Sequence, residues 1–248
     1  MKQEEIKALA AKILYEDNHL LIVNKDAGQL VQGDITGDKA LVDVYKEYIR
    51  VVYEKPGNVF MGLVHRLDRP VSGVVVLAKT SKGLERMNAL FRTKEVYKTY
   101  WAVVKNHPPK EKDNLVHYLT KDSDKNVAQA FDKQVPDSKK AELFYKVLGK
   151  LNQHYLLEVQ PTTGRPHQIR VQLASMGCPI RGDIKYGFSK PNIDGNINLH
   201  AKQLRFVHPI KKETLLLVAS LPENDFWEQF LSLEDPVKIK NKDLDKLL

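Results

Sequence analysis

The chain has a single cysteine, Cys178, among 248 residues. No intrachain disulfide can form, and a thiolate-rich metal site is excluded. No stretch reaches the about 18 consecutive apolar residues that a membrane-spanning helix needs. The N-terminus, MKQEEIKALA, alternates charged and apolar residues where a secretory signal would be continuously hydrophobic. Gly/Ser linkers, low-complexity tracts and internal repeats are also missing, so no boundary between domains stands out. These absences lead us to expect a soluble protein of a reducing cytoplasm, without a membrane partner.

What is present is apolar residue enough for a core, 42% of the chain, and a formal charge of +8 with a sequence pI of about 9.3. That balance favours a polyanion or an acidic surface over a neutral small molecule. The positive charge is also concentrated. From His65 to Asn106 there are nine Lys and Arg against three acids, and from Gln160 to Lys190 five against one, while the rest of the chain is slightly acidic. Such clustering suits a protein that neutralises phosphates.

Short apolar runs bounded by Gly, Pro, Asn or charges read as strands: HLLIVNK, GVVVLAK, TYWAVVK, HYLLEVQ, NLHAKQLRFV and TLLLVASL. Helical spacing appears in Leu41, Val44, Tyr45, Tyr48 and Ile49, and again in Leu84, Met87, Leu90 and Phe91 after Ser81, a candidate N-cap. In TTGRPHQIRVQLASMG, Pro166 suits a first helical turn and Gly177 a stop. A last helix is expected in PENDFWEQFL. Strands adjacent in sequence without helices between them predict an α+β fold.

Three segments could carry chemistry. In VHRLDRPVSG, an extended Arg66 to Asp68 puts those two side chains on one face, and His65 and Leu67 on the other. A carboxylate between guanidinium groups is fixed in direction, which suits a base or nucleophile; an Asp in a surface turn with ordinary salt bridges is the plainer alternative. In GRPHQIRVQLASMGCPIRGDIKYG, His167 and Arg170 share a helix face while Ile169, Leu173 and Met176 mark the buried side. Arg170 would then point toward a partner, or the helix is simply a surface one. In KEVYKTYWAVVKN, Tyr97, Thr99 and Trp101 lie on one side of a strand, and Lys98 and Tyr100 on the other. A tyrosine beside a lysine on an open sheet face can stack a base near a phosphate, unless the strand is merely an aromatic core element.

Together these segments resemble the RluA-type pseudouridine synthase family. HRLDRPVSG is similar to the signature H-R-L-D-x-x-T-S-G, with Val71 in place of the threonine; TGRPHQIRVQLASMGCPIRGDIKYG is similar to the C-terminal motif, and VYKTYWAVV to the segment of the active-site tyrosine. The resemblance implies a bent, mixed, mostly antiparallel eight-stranded sheet with flanking helices and a central RNA-binding cleft. It implies isomerisation of uridine to pseudouridine in ribosomal or transfer RNA, without cofactor or metal. Asp68 matches the catalytic aspartate, Arg170 the arginine that pairs with it, and Tyr100 the tyrosine that packs on the flipped uracil. Arg66 is placed to fill the vacated stack; His65, Arg69, Lys98, Arg165 and His167 are expected at the RNA, with Arg69 contributing only charge. Residues 1–12 would be an extension in place of the additional RNA-binding domain many relatives carry, 13–231 the catalytic domain and 232–248 a polar tail. A monomer is expected.

Two other readings compete. A catalytically retired RNA-binding protein or RNA chaperone would have no physical reason to keep Asp68, Tyr100 and Arg170 together. A metal-dependent hydrolase would draw on His65, His167, His200 and His208 with Asp68 and Asp183, but no two of these histidines have ligand-pair spacing.

Overall fold

The strand SGVVVLA has no alternation, and all seven of its residues are buried, as expected of a strand covered on both faces. It lies inside a large sheet in a computed structural model that describes residues 1–34 and 36–233. In chain order the elements are α1 (Gln3–Ala10), β1 (Ile13–Glu16), β2 (Leu20–Lys25), α2 (Leu41–Val52), β3 (Gly62–Leu63), β4 (Ser72–Ala78), α3 (Ser81–Arg92), β5 (Tyr97–Val104) and β6 (Lys112–Asp122). There follow β7 (Val127–Phe131), β8 (Lys139–Leu151), β9 (His154–Pro161), α4 (Gln168–Ser175), β10 (Leu199–Val207), β11 (Thr214–Val218) and α5 (Asp225–Glu228). Residues 234–248 of the expected tail lie outside the described residues.

Among the described residues the sheet has eleven strands rather than eight, in the order β1-β2-β4-β10-β5-β9-β8-β6-β7, with β11 added to β10 and β3 to β4. Its pairings are antiparallel except where β10 meets β4 in parallel register, His200 opposite Ser72 and Ala201 opposite Gly73. Gly73 has φ +112, and a Cβ there would meet the Ala201 carbonyl oxygen at 2.3 Å. The glycine is what lets the loop before β4 close tightly on β10.

One face carries the main core, where Val75 and Leu77 of β4 meet Tyr45 and Ile49 of α2 and Ile169 and Leu173 of α4. On the other face Val74 and Val76 pack with Met87 of α3 and with Leu204 and Phe206 of β10. α5 brings Trp227, and Phe230 follows it, onto Trp101, Val103 and Leu156. α3 is capped by Thr80, whose hydroxyl oxygen accepts from Gly83 N, rather than by Ser81.

α4 departs most from expectation. It begins at Gln168, not at Pro166, because His167 takes a left-handed conformation with φ 54. The turn before it is closed on itself: Arg165 N donates to the Gln168 side-chain oxygen at 3.0 Å, and Gln168 N donates to Arg165 O at 3.1 Å. Nor is it a surface helix, since Gln168 to Leu173 are all buried. Val171 packs on Leu119, Ala128 and Ala141 of β6, β7 and β8, and Gln172 Nε2 donates to the carbonyls of Leu115 and Ala141.

Candidate active site

Asp68 sits on the irregular stretch between β3 and β4. Leu67 is anchored in the main core, Arg66 is exposed, and Val71 N donates to Asp68 O at 3.0 Å to turn the chain toward β4. The backbone just past Asp68 is fastened from below. Lys25, at the end of β2, donates its buried ammonium to the carbonyls of Asp26, Gln29 and Arg69 at 2.8, 2.9 and 3.2 Å, and Gly28 N also donates to Arg69 O at 2.8 Å. Burial lowers the Lys25 pKa to about 7 against the opposing pull of Asp26 and Asp68. Arg69 is engaged by its own chain: its guanidinium donates to Gly28 O at 3.0 Å and pairs with Asp38 at 2.7 Å. It therefore straps this stretch to the segment after β2 rather than offering only free charge.

Arg170 reaches Asp68 from the first turn of α4, with Nη1 2.9 Å from Oδ2. Its two-bond contact, the pairing that best fits a guanidinium to a carboxylate, is made with a different acid. Arg170 Nε and Nη2 donate in parallel to Oδ2 and Oδ1 of Asp183 at 2.7 and 2.9 Å, and the guanidinium carbon lies 5.0 Å from the centroid of the Tyr186 ring. Side-chain exposure is 7% for Arg170 and 1% for Asp183, against 25% for Asp68. Burial opposes the Arg170 charge, but Asp183 and then Asp68 outweigh it and raise its pKa. Arg170 thus points inward as a fixed bridge, with Asp183 holding it and Asp68 left half-open to the cavity.

His167 stands behind the same carboxylate, Nε2 at 3.8 Å from Asp68 Oδ2. Its Nδ1 is 2.7 Å from Tyr186 Oη, which in turn accepts from Ala128 N at 2.8 Å. When the Tyr186 hydroxyl gives its one proton to Nδ1, neutral His167 carries its own proton on Nε2, facing Asp68. Burial lowers the pKa of His167, with Asp68 opposing.

A cavity of about 340 Å³ opens above these groups, lined among others by Arg66, Asp68, Lys98, Tyr100, Arg165 and His167. Tyr100 packs against the main core from β5, and burial, with Asp68 adding to it, pushes its phenol above the ordinary range. His65 lines the cavity too, but its Nε2 accepts from Val76 N at 3.1 Å and its ring stacks on Phe91 at 4.8 Å. Burial pushes its pKa down to about 3. Its imidazole is thus spent on the fold more than on a ligand. Arg165 donates through Nε to Lys140 O at 3.1 Å.

The sequence profile of the RNA pseudouridylate synthase family matches residues 19–175, well over half of the chain. The chain belongs to the RNA pseudouridylate synthase family. Among curated relatives, it is 34% identical over 226 residues to the ribosomal large subunit pseudouridine synthase C of Vibrio cholerae, covering 89% of this chain and 69% of that one. It is 31% identical over 240 residues to the tRNA pseudouridine synthase C of Vibrio parahaemolyticus, covering 89% and 94%. Among solved structures, human RNA pseudouridylate synthase domain containing 4 superimposes with TM-score 0.75 at 28% identity, covering 92% of this chain and 94% of that chain.

Within this pseudouridylate synthase, Tyr186 is a site residue that sequence reasoning passed over, and Asp183, weighed there only as a metal ligand, is the partner of Arg170 that it did not identify. They lie in GDIKYG, a short turn whose 3₁₀ helix spans Ile184–Tyr186. The available signal was an acid and a tyrosine three apart, which a tight helical turn sets on one side. The histidines considered for a metal have other partners: His200 Nδ1 lies 2.8 Å from Ser72 Oγ, and His208 Nδ1 accepts from Ile210 N and Lys211 N. Among the described residues no three His, Cys, Asp or Glu side chains are grouped to hold a metal ion.

Proposed function

We propose that this synthase isomerises uridines of ribosomal or transfer RNA, with Asp68 as the reacting carboxylate, Arg170 holding it and Tyr100 stacking on the extruded uracil. The observation that carries the reading is the half-open Asp68 carboxylate, bonded by Arg170 Nη1 at 2.9 Å at the wall of a cavity that also contains Tyr100. The reaction breaks the N1–C1′ bond, turns the pyrimidine and joins C5 to C1′; the C5 hydrogen leaves and N1 gains a proton. A carboxylate at the sugar can remove the C2′ proton, attack C1′ or attack the pyrimidine. We favour proton removal, and each route uses the same position.

Tyr100 suits a stacking surface better than a base. A phenol whose pKa is raised by burial and by Asp68 is held in its protonated form at neutral pH, which favours stacking over taking up the C5 proton. Arg66, exposed beside Asp68, is available to fill the gap in the RNA stack once the uridine is flipped out. We assign no metal or cofactor, and RNA is the partner.

The test is to map pseudouridine at single-nucleotide resolution in total RNA from cells with and without this protein. One or a few uridines in ribosomal or transfer RNA should lose the modification in its absence and regain it when the wild-type chain, but not Asp68→Asn, is returned. Identical maps in all of these cells would refute the proposal.

A further inference from the structure

Most cationic side chains around the cavity are neutralised, exposed or bonded to backbone. Arg170 is held between two carboxylates, Arg66 is exposed and Arg165 is bonded to Lys140 O. Lys98 differs. It is half-buried on β5, it lines the cavity, and its Nζ has one partner, the carbonyl of Thr163 at 3.2 Å. No carboxylate pairs with it among the described residues, and two of its N–H bonds remain for a ligand. Burial lowers its pKa to about 8, and Lys94 adds to the effect.

Such a lysine weakens the fold, because desolvating an ammonium without a counter-charge is unfavourable and an apolar side chain would be more stable there. Lys98 is two residues from Tyr100, so both side chains leave the same face of the strand, roughly 7 Å apart along it. A pyrimidine stacked on Tyr100 would present an edge to a group at that distance.

We propose that Lys98 Nζ binds the carbonyl edge of the flipped uracil and stabilises the negative charge that the pyrimidine gains during isomerisation. This rests on the uridine-isomerising reading of the cavity. When N1–C1′ breaks, its electron pair stays on the pyrimidine and spreads to the carbonyl oxygens, whether Asp68 has taken the C2′ proton or bonded to C1′. Attack of Asp68 on the pyrimidine ring also delivers charge to those oxygens. Lys98 therefore acts in the same way on every route, as a positioned cation for a developing oxyanion.

The test compares the full-length wild type with Lys98→Met and Lys98→Gln on total cellular RNA tritiated at C5 of uridine, under single-turnover conditions. Lys98→Met should slow label release by about 10²- to 10³-fold, the usual effect of losing one oxyanion donor. RNA affinity should stay within about threefold, the salt dependence of binding should be unchanged, and the melting temperature should be equal or higher. Lys98→Gln, which keeps a neutral donor, should fall between Lys98→Met and the wild type. Release by Lys98→Met within about threefold of wild type would overturn the proposal. So would full release at saturating RNA with a salt slope reduced by about one, which marks a phosphate contact. A lower melting temperature in both variants would assign Lys98 to the fold instead. Failure of the wild type itself to release label would sink the isomerase reading, a separate outcome from equal release by wild type and variant.

Discussion

Arg170 is the residue on which the site turns, because it joins the half-open Asp68 to the buried Asp183 through one planar group. A guanidinium satisfies two carboxylates at once through its fixed fork; an ammonium on a flexible stem cannot keep both geometries. Arg170→Lys should therefore lower single-turnover label release by at least about 100-fold at unchanged charge. It should also leave Asp183 with a poorer partner in a buried site, destabilising the fold by about 3 kcal/mol. Tritium release and urea unfolding read the two effects separately, and a lysine variant that retained both rate and midpoint would break the bridge assignment. The sequence identifies Arg170 and Asp68 as partners through their motifs. It does not show that the two-bond contact belongs to Asp183, because the turn carrying Asp183 is brought to α4 by the tertiary fold.

Among the elements, β4 and β10 show how a buried sheet constrains titration. Burial pushes His200 of β10 down to about 3, with Lys202 adding to it, and His65, whose ring accepts from Val76 N of β4, is also held at about 3. Both have an ordinary value of 6.5. Between those limits the unfolded chain binds protons that the folded chain does not, so stability is full above about pH 6.5 and falls as pH drops toward 3. Urea midpoints should be lower at pH 5.5 than at pH 7.5, and equal midpoints would contradict the neutral burial of these two rings. The strands easiest to read in the sequence are those buried on both faces, such as β4. Among those passed over, β6 and β8 mix charges with apolar residues: in β8, Ala141, Leu143 and Tyr145 are buried while Lys140 and Lys146 are exposed. Their signal is alternation, not an apolar run. The burial of α4 is hidden in the sequence for a related reason, since Gln168 and Gln172 are buried by bonds to carbonyls of β6 and β8.

Across the whole molecule, the two basic segments of the sequence turn out to be the two that enclose the cavity. Apart from Leu199, its lining residues fall in the stretches from His65 to Tyr100 and from Pro161 to Arg170. Charge density in the sequence thus marks the face at which we propose RNA binds, while the choice of RNA and uridine depends on shape, which no residue code displays. The central claim is that this chain makes and breaks bonds at uridine rather than only holding RNA. It is tested most directly by incubating RNA tritiated at C5 of uridine with wild-type protein and with Asp68→Asn. Joining C5 to C1′ displaces that hydrogen, so the wild type should release label to water up to a plateau of a small whole number of equivalents per target RNA. Asp68→Asn should release none while binding RNA within several-fold of wild type. Absence of release from any cellular RNA by folded, RNA-binding wild-type protein, or equal release by Asp68→Asn, would contradict the account.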